Sequence, residues 1–599
     1  IANTFNRAQT DKIAGNVSLS YNFLDHFTAQ ANYQFNWAEV DSKVFNPIAF
    51  FGSGKVFNRD RSEVVINENT FRDYTFDAFV KYENKLNDIH NINVLLGTSV
   101  FKTTGNFSGF VGFDIPGNTI KNATLDQADE VQNIFPNGNA QFDARLLSYF
   151  TRVQYDYDGK YLISAVIRRD GSSKFGPENK FGYFPSGSIG WIASDESFLA
   201  DSNFLDFLKF RASYGILGND RIPDFRFTSL LNGEGTYIID DELTFGTAIG
   251  AVANPEIRWE KQKTIDIGFD ARFWDNRFDV TVDYYKKRTE DLLVVPQVSG
   301  LLGVSAPGSG PPVVNAGIVE NSGLEFAIGY SEQITDDFKL TIRYNVATLD
   351  NTVVSVSGDG DFLSGGGFGV GRDPPARMEK GFPIGYFRGF VTDGIFQTQA
   401  EVNSYPTINS SVQPGDLRFV DINNDGVIDD NDRTNIGNPL PDATMGINFS
   451  IDYKNFDFGA YAFASVGNEI VRNYERNQPR TNRTRYYLDR WRGPGTSNTF
   501  PRVTSGANSN SLFSDFYVED GSFVRLQNVQ LGYSFGDNAL EKLNISKLRL
   551  YISANNLVTL TEYSGYDPTA STGQPIGGGI DYGFYPNPVT YLLGMNLKF

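Results

Sequence analysis

Apolar and polar residues alternate along many segments of the chain, each about ten residues long, and the segments come in pairs joined by short polar turns. One pair is centred on Trp274-Asp275-Asn276. The residues on its apolar face are Ile265, Ile267, Phe269, Ala271, Phe273, Phe278, Val280, Val282 and Tyr284. Because the side chains of a β-strand point alternately to its two faces, the pattern predicts antiparallel hairpins with one apolar face.

The same design recurs along the chain. The other short turns are Asp25-His26, Leu86-Asn87-Asp88, Asp158-Gly159, Thr335-Asp336-Asp337, Lys454-Asn455 and Asn544-Ile545-Ser546. The last segment, Tyr591 to Phe599, alternates in the same way. Alternation alone also fits a soluble β-sandwich, in which the apolar face would be buried. A second feature is therefore needed to decide between the two.

The connections opposite the short turns are long and rich in Gly, Asn, Ser and Pro. They cover residues 105–144, 218–260, 290–317, 349–442, 468–521 and 558–587, and 349–442 is the largest. Short turns on one side and long extracellular loops on the other are typical of an outer-membrane β-barrel. We therefore predict an all-β fold, a transmembrane antiparallel barrel that occupies 1–599 as one domain with about 17 strands.

Composition agrees with a barrel in contact with outer-membrane lipid. The chain has 51 Phe and 30 Tyr, which suit a lipid-facing surface with aromatic girdles. Its apolar runs are shorter than the roughly 18 residues that a membrane helix needs. With no Cys, thiol catalysis, cysteine zinc sites and disulfides are excluded. The net charge of −19 argues against nucleic acid as a partner.

Several runs carry a family resemblance. The most specific is Arg168-Arg169-Asp170-Gly171-Ser172-Ser173-Lys174-Phe175-Gly176. Further runs are Gly182-Tyr183-Phe184-Pro185-Ser186, Arg211-Ala212-Ser213-Tyr214-Gly215, Asn321-Ser322-Gly323-Leu324-Glu325, Phe523-Val524-Arg525-Leu526-Gln527-Asn528 and Tyr563-Ser564-Gly565-Tyr566-Asp567-Pro568. In order and spacing they resemble the SusC/RagA-type TonB-dependent transporters of the Gram-negative outer membrane, over most of the chain.

The resemblance implies a barrel of the 22-strand type, closed by an N-terminal plug that contacts TonB. No plug is recognisable in this sequence, and an odd strand count suggests that strands before the first visible one are missing. The resemblance also implies that a terminal aromatic residue, here Phe599, serves as the signal for barrel assembly.

The function that the resemblance implies is TonB-driven import of oligosaccharides or peptides, together with a SusD-like surface lipoprotein that caps the barrel. A siderophore or metal-chelate receptor is an alternative, as is a structural barrel that does not transport. An enzyme is disfavoured, because the chain has only two His and they are far apart in the sequence.

A calcium-type loop spans residues 421–432, inside the largest connection. Its predicted oxygen ligands are Asp421, Asn423, Asp425, the Val427 carbonyl, Asp429 and Asp432, with Gly426 at the sharp turn. Position 12 is Asp rather than the usual bidentate Glu, which shortens its reach. The alternative is a solvated turn rich in Asn, Asp and Gly. If calcium binds, we expect it to hold the loop in shape, with no part in chemistry.

Aromatic residues in the connection 468–521 are candidates for substrate contact. Tyr486, Tyr487 and Trp491 would stack on a sugar ring or pack against a partner protein. The alternative is that they form a small core of the loop itself. No catalytic residue is predicted.

Overall fold

The structure, a computed structural model, describes residues 4–598 except 55–57, 135–139, 230, 232, 296–308, 357–361, 370–372, 475–483, 505–507, 537–544 and 572. The first strands are β1 Phe5–Phe23, β2 Phe27–Asn46, β3 Glu63–Leu86, β4 His90–Phe113, β5 Glu130–Asn133, β6 Ala140–Tyr157, β7 Tyr161–Ser172, β8 Phe181–Ile192, β9 Leu205–Asn219, β10 Gly233–Ile239, β11 Glu242–Ala248, β12 Glu260–Phe273, β13 Phe278–Glu290, β14 Leu293–Val294, β15 Val314–Asn315 and β16 Gly317–Thr335.

The strands that follow are β17 Phe338–Thr348, β18 Asp350–Val356, β19 Phe362–Gly365, β20 Ala376–Glu379, β21 Tyr386–Phe390, β22 Thr392–Ile395, β23 Leu417–Phe419, β24 Arg433–Gly437, β25 Ala443–Tyr453, β26 Phe456–Val466, β27 Glu469–Arg472, β28 Val518–Asp520, β29 Phe523–Ser534, β30 Lys547–Thr561, β31 Ile580–Asp581 and β32 Thr590–Lys598. Helix α1 covers Gln399–Ser404. The short 3₁₀ turns are Pro116–Asn118, Ile120–Asn122, Leu125–Gln127, Ala193–Asp195, Asp430–Asp432, Arg485–Asp489, Ser509–Ser511 and Asp515–Tyr517. Within the described ranges, no helix combines the length and the apolar character needed to cross a membrane.

The short turns lie where the sequence predicts them, and several residues in them have left-handed backbone. Asp25, Asp88, Asp158 and Asn276 have φ between 54° and 60°. Asn and Asp tolerate this conformation because their short polar side chains bond to the local backbone. Trp274 is unusual at φ 54°, and its backbone N–H donates to the Phe204 carbonyl at 3.0 Å. The predicted turn at Asn544 begins outside the described residues.

The chain divides into two compact units. Unit 1 comprises Ile1–Gly187, Ile216–Trp259 and Ser305–Val313. In it, β1, β2, β3, β4, β6 and β7 pair in that order, each antiparallel to the next. The short strand β5 adds to the end of β4, and β10 and β11 form a separate hairpin.

Unit 2 comprises Ser188–Gly215, Glu260–Val304 and Val314–Phe599. In it, β12, β13, β16, β17, β25, β26, β29, β30 and β32 pair in that order, again antiparallel. The small strands β19 to β24, β27, β28 and β31 belong to separate sheets. Consecutive antiparallel pairing through short turns is the all-β pattern that the alternation predicts.

The predicted apolar face is the exposed one. Ile265 and Tyr284 in the β12–β13 hairpin are 45% and 44% exposed. Asp283, on the other face, is only 6% exposed. This distribution is the reverse of that in a soluble sandwich, whose apolar face would be buried.

One predicted boundary is wrong. The sequence places a loop from residue 105, whereas β4 continues to Phe113 and pairs with β3 as far as Glu63. The extension is stabilised by a local core of Phe45, Val64, Ile115 and Ala123, each at most 4% exposed. These residues are distant in sequence, so local alternation does not predict their packing.

Candidate functional site

A folded loop assembly occupies the long connections of unit 2. We define it as the described residues of 362–437, 468–520 and 562–587. It contains a four-stranded sheet of β19, β20, β21 and β24, a pair of β22 and β23, and a three-stranded sheet of β28, β27 and β31. In the last sheet β27 pairs with β31 in parallel, which joins two connections that lie more than 100 residues apart in sequence. The assembly is therefore a structured body and not a set of independent loops.

Two apolar clusters lie inside the loop assembly. The first comprises Phe368, Ala376, Phe387, Val471, Phe513 and Ile580, and the second Phe390, Ile395, Leu417, Phe419 and Ile428. All are at most 7% exposed. The first cluster draws on all three long connections, so each connection is held in place by the other two.

A buried carboxylate at Asp416 organises the second part of the assembly. Asp416 is fully buried, and Arg502 donates to its two oxygens at 2.7 and 3.0 Å. The amides of Asn508 and Asn510 donate to the first oxygen, and the backbone N–H of Gln413 to the second. A buried charge is tolerated when it is paired and fully hydrogen-bonded, as here. The Asp416 carboxylate therefore joins the connection 349–442 to the connection 468–521, which is a structural role.

A second buried ion pair links the loop assembly to the start of β29. Arg525 donates to Asp567 at 2.6 Å, and the two side chains are 6% and 8% exposed. Burial alone would raise the pKa of the Asp567 carboxyl, but backbone N–H groups of Asn587 and Thr569 donate to it. These hydrogen bonds, with the Thr569 hydroxyl and Arg525, hold its pKa well below the usual range.

Tyr563 and Asp581 form a third buried polar pair. The Tyr563 hydroxyl donates to Asp581 at 2.7 Å. Burial and then this hydrogen bond raise the pKa of Tyr563 well above its ordinary value, so the phenol stays protonated. The Tyr563 hydroxyl therefore acts as a fixed hydrogen-bond donor to Asp581.

In the structure, aspartate side chains of the calcium-type loop accept hydrogen bonds from backbone N–H groups of the same loop. Asp421 accepts the N–H groups of Asp425 and Gly426 at 3.2 and 2.8 Å. Asp432 is fully buried and accepts those of Ile422 and Asp429. Ile428, at position 8 of the loop, is buried in the second apolar cluster and anchors the loop there.

The donor set of this loop is the oxygen-rich one that calcium prefers. Asn423 and Asp425 are exposed, and the Asn423 amide donates to Asp425 at 2.8 Å. Asp429 accepts the N–H of Asn431 at 2.7 Å, and Val427 is 55% exposed. Across the described residues, no group of three or more His, Cys, Asp or Glu side chains is arranged to hold a metal ion. Calcium binding stays a prediction.

The predicted aromatic residues pack within the loop assembly. The rings of Tyr486 and Tyr487 lie 4.9 and 4.8 Å from that of Phe500. The Arg472 guanidinium lies 4.5 Å from the Tyr486 ring. Trp491 contacts the second apolar cluster and donates from its indole to Gln397 at 3.1 Å. The structure thus brings them into a loop core, the alternative stated above, and substrate contact stays a prediction.

Charged residues gather on the polar face of the sheet in unit 2. Arg211 on β9 donates to Asp266, Asp270 and Asp283, with the shortest contact, 2.6 Å, to Asp283. On the same face Arg549 pairs with Asp457 and with Gln530. These networks join neighbouring strands through side chains, which is a structural role.

Several residues of the sequence motifs form side-chain contacts that the motifs themselves do not reveal. Arg525 and Asp567 lie in two quoted motifs, and only the fold shows that they pair. In the Arg-Asp-Gly-Ser run, Arg168 pairs with Asp170 at 3.0 Å, and Ser172 donates to Asp220 at 2.8 Å. Asp416 lies in no motif, so no sequence signal identified it. Phe599 lies outside the described residues.

Comparison with known proteins covers almost the whole chain. Residues 2–557 match the family described as TonB dependent receptor-like, beta-barrel. TonB-dependent receptor P3 of Formosa agariphila is 32% identical over 99% of this chain and 58% of its own length. TonB-dependent receptor SusC of Bacteroides thetaiotaomicron is 27% identical over 99% of this chain and 56% of its own. The chain thus spans somewhat more than half the length of these relatives.

Solved structures show the same fold. A structure of the RagAB peptide transporter superimposes with a TM-score of 0.81 at 20% identity, over 100% of this chain and 63% of the other. Three observations indicate the same β-barrel fold: the order of the strands, the exposed apolar face and the family match over residues 2–557. The chain belongs to the TonB-dependent receptor-like β-barrel family, whose members reside in the outer membrane.

Proposed function

We propose that this chain supplies the barrel wall and extracellular loops of a SusC-like importer, driven by TonB, that takes up oligosaccharides or peptides. In this proposal a SusD-like surface lipoprotein binds over the long loops, and TonB acts through an N-terminal plug of the whole receptor. The observation that carries the proposal is the match to SusC, which runs along 99% of the chain.

The loop assembly supports a role in docking or enclosing a large cargo. A simple pore needs no such body, whereas here three long connections share one apolar cluster and buried ion pairs. Rigid loops present a fixed surface to a partner, which lowers the entropic loss on binding. The names of the relatives are those of receptors and a peptide transporter, which also favours transport over enzymatic function.

Transport is tested in cells that lack the receptor and carry the native gene on a plasmid. We expect uptake of labelled oligosaccharides or peptides only in the complemented strain, and loss of uptake when the proton gradient is collapsed. A gene that restores uptake of ferric chelates alone would support the siderophore alternative. Normal growth and uptake of all cargoes without the gene would support a structural barrel.

The partner is tested separately by purification in mild detergent. We expect a SusD-like lipoprotein to copurify in equal amounts with the native receptor. A preparation in which the receptor is active and no lipoprotein is bound would overturn this part of the proposal while leaving transport intact.

We also propose that residues 421–432 bind a structural calcium ion in the extracellular loop. The support is the oxygen-rich donor set and the left-handed backbone of Asn424 and Gly426, at φ 58° and 86°. In this proposal the exposed side chains of Asn423 and Asp425 and the half-buried side chain of Asp429 turn toward the ion. The buried Asp432 already fixes the end of the loop.

A further inference from the structure

A shallow groove lies on the apolar face of the sheet in unit 1. Two adjacent rows of side chains, paired strand to strand across β1, β2, β3, β4, β6 and β7, form it. One row is Leu19, Ala31, Ala78, Thr98, Tyr149 and Arg169, and the other is Tyr21, Ala29, Val80, Leu96, Thr151 and Ile167. We call this feature the small-residue groove, because Ala29, Ala31 and Ala78 form its floor.

Large side chains surround that floor. Leu19 and Tyr21 stand on one side, 70% and 71% exposed, and Tyr149 and Ile167 on the other, 47% and 52% exposed. The groove is open on its outer side and has a volume of about 860 Å³. The groove therefore results from small residues at three neighbouring positions on β2 and β3, flanked by large apolar side chains.

Arg169 lies at one end of the small-residue groove. Its guanidinium stacks 4.0 Å from the Phe181 ring and 5.7 Å from that of Tyr183. Its Nε is buried and has no hydrogen-bond partner among the described residues. No carboxylate among the described residues pairs with the Arg169 guanidinium. A single cation therefore lies at the end of an apolar surface.

The position of Arg169 matches the edge of the apolar band. On the same face, Val100 of β4 is followed by Lys102 and Leu147 of β6 by Arg145, as Ile167 of β7 is followed by Arg169. Lys102 and Arg145 share the carboxylate of Asp143, at 3.2 and 2.8 Å. Arg169 is thus set at the level where apolar wall gives way to charge, without the acidic neighbour of the other two.

We propose that the small-residue groove binds a membrane lipid whose acyl chain lies on the alanine floor and whose anionic phosphate pairs with Arg169. The apolar face of a β-barrel contacts lipid, and charge on that face is unfavourable away from the interface. A guanidinium that no described carboxylate pairs with is complementary in charge to a lipid phosphate. The proposal rests on membership of the barrel family and is independent of the cargo.

Lipid binding is tested on the complete receptor purified in detergent. The protein is stripped of lipid, incubated with dioleoyl phosphatidylglycerol or dioleoyl phosphatidylcholine, and analysed by native mass spectrometry. We expect retention of phosphatidylglycerol over phosphatidylcholine. Arg169→Gln should lower phosphatidylglycerol retention about tenfold, the order expected for loss of one charge-assisted contact, and leave phosphatidylcholine unchanged.

The controls separate the charge, the groove and the fold. Arg168→Gln removes the same charge from the opposite face and should behave as wild type, and Arg169→Lys should keep the preference. Ala78→Phe fills the floor and should lower retention of both lipids while the heat-modifiable gel mobility of the folded barrel persists. Equal phosphatidylglycerol retention by wild type and Arg169→Gln, or unchanged retention by folded Ala78→Phe, would overturn the proposal.

Discussion

The sheet of unit 1 and the loop assembly of unit 2 place their apolar residues in opposite ways. Along the sheet, Leu19, Tyr21 and Leu96 are 64–71% exposed. In the loop assembly, Phe387, Val471 and Ile580 are fully buried. The difference follows from the solvent, since lipid accepts an exposed apolar wall whereas loops in water must bury apolar side chains to become ordered.

Polar groups differ in the same way. The ion pair of Arg145 and Asp143 on the sheet is exposed, and such pairs contribute little to stability. In the loop assembly, the Asp416 carboxylate that binds Arg502 is buried, and so are both side chains of the Asp567–Arg525 pair. The loop assembly therefore depends on a few polar contacts, whereas the sheet depends on its backbone ladder. The predictions below test this difference.

The largest effect is expected at a buried ion pair. Arg525→Ala leaves the Asp567 carboxylate buried without its cation, which should lower the local stability of the loop assembly by about 3–5 kcal/mol. Hydrogen exchange at residues 562–587 should report it. The matched change Arg145→Ala, at an exposed pair, should cost less than about 1 kcal/mol. Equal effects of the two changes would remove the proposed contrast.

A smaller effect is expected for the same truncation in the two regions. Val471→Ala removes two methyl groups from a fully buried site and should cost about 2–3 kcal/mol. Val17→Ala on the sheet, at a residue 56% exposed, should change stability by less than about 0.5 kcal/mol. Thermal unfolding, followed by proteolysis of the loops and by gel mobility of the barrel, separates the two.

Removal of calcium should affect the loop assembly alone. At a free calcium concentration ten times the dissociation constant, bound ion would stabilise the loop by about 1.4 kcal/mol. Chelation, or Asp421→Ala with Asp425→Ala, should then speed proteolysis between residues 400 and 440 and leave β-content unchanged. Protease resistance that chelator does not alter would favour the solvated turn.

The smallest effect concerns pH and Glu469 on β27. Burial raises the pKa of this carboxyl above its ordinary value, and the nearby Asp442 and Asp520 add to the rise. When the pKa of an acid is higher in the folded state than in the unfolded state, protonation favours folding. The stabilisation is complete below the unfolded-state pKa and is lost as the pH rises through the folded-state pKa.

The loop around Glu469 should therefore resist protease better at mildly acidic pH than at neutral pH. Glu469→Gln should remove this dependence and match the acidic wild type at every pH, because Gln keeps an acceptor for the Asn438 N–H that Glu469 binds at 2.6 Å. If Glu469→Gln kept the wild-type pH profile of protease resistance, the pH dependence would arise from another group.

The loop assembly is also where prediction from the sequence was weakest. Tyr486, Tyr487 and Trp491 pack against other residues of the loop assembly, and their contact with substrate stays a prediction. Gly366 and Gly577 illustrate why the sequence alone does not predict how the loops pack. A Cβ on Gly577 would lie 2.4 Å from the Gly366 backbone nitrogen, and the two residues are 211 positions apart in the sequence. Composition shows glycine in both segments but cannot show that they meet.

The sequence by itself determined the hairpins, their turns and the exposed apolar face, because alternation and Asn, Asp and Gly in turns act over a few residues. It also determined the family, through motifs in order. Only the tertiary structure decided that Asp416 binds Arg502, that Arg525 binds Asp567 and that three connections share a core. Those contacts join residues 42 to more than 100 positions apart, and no local pattern specifies partners over such distances.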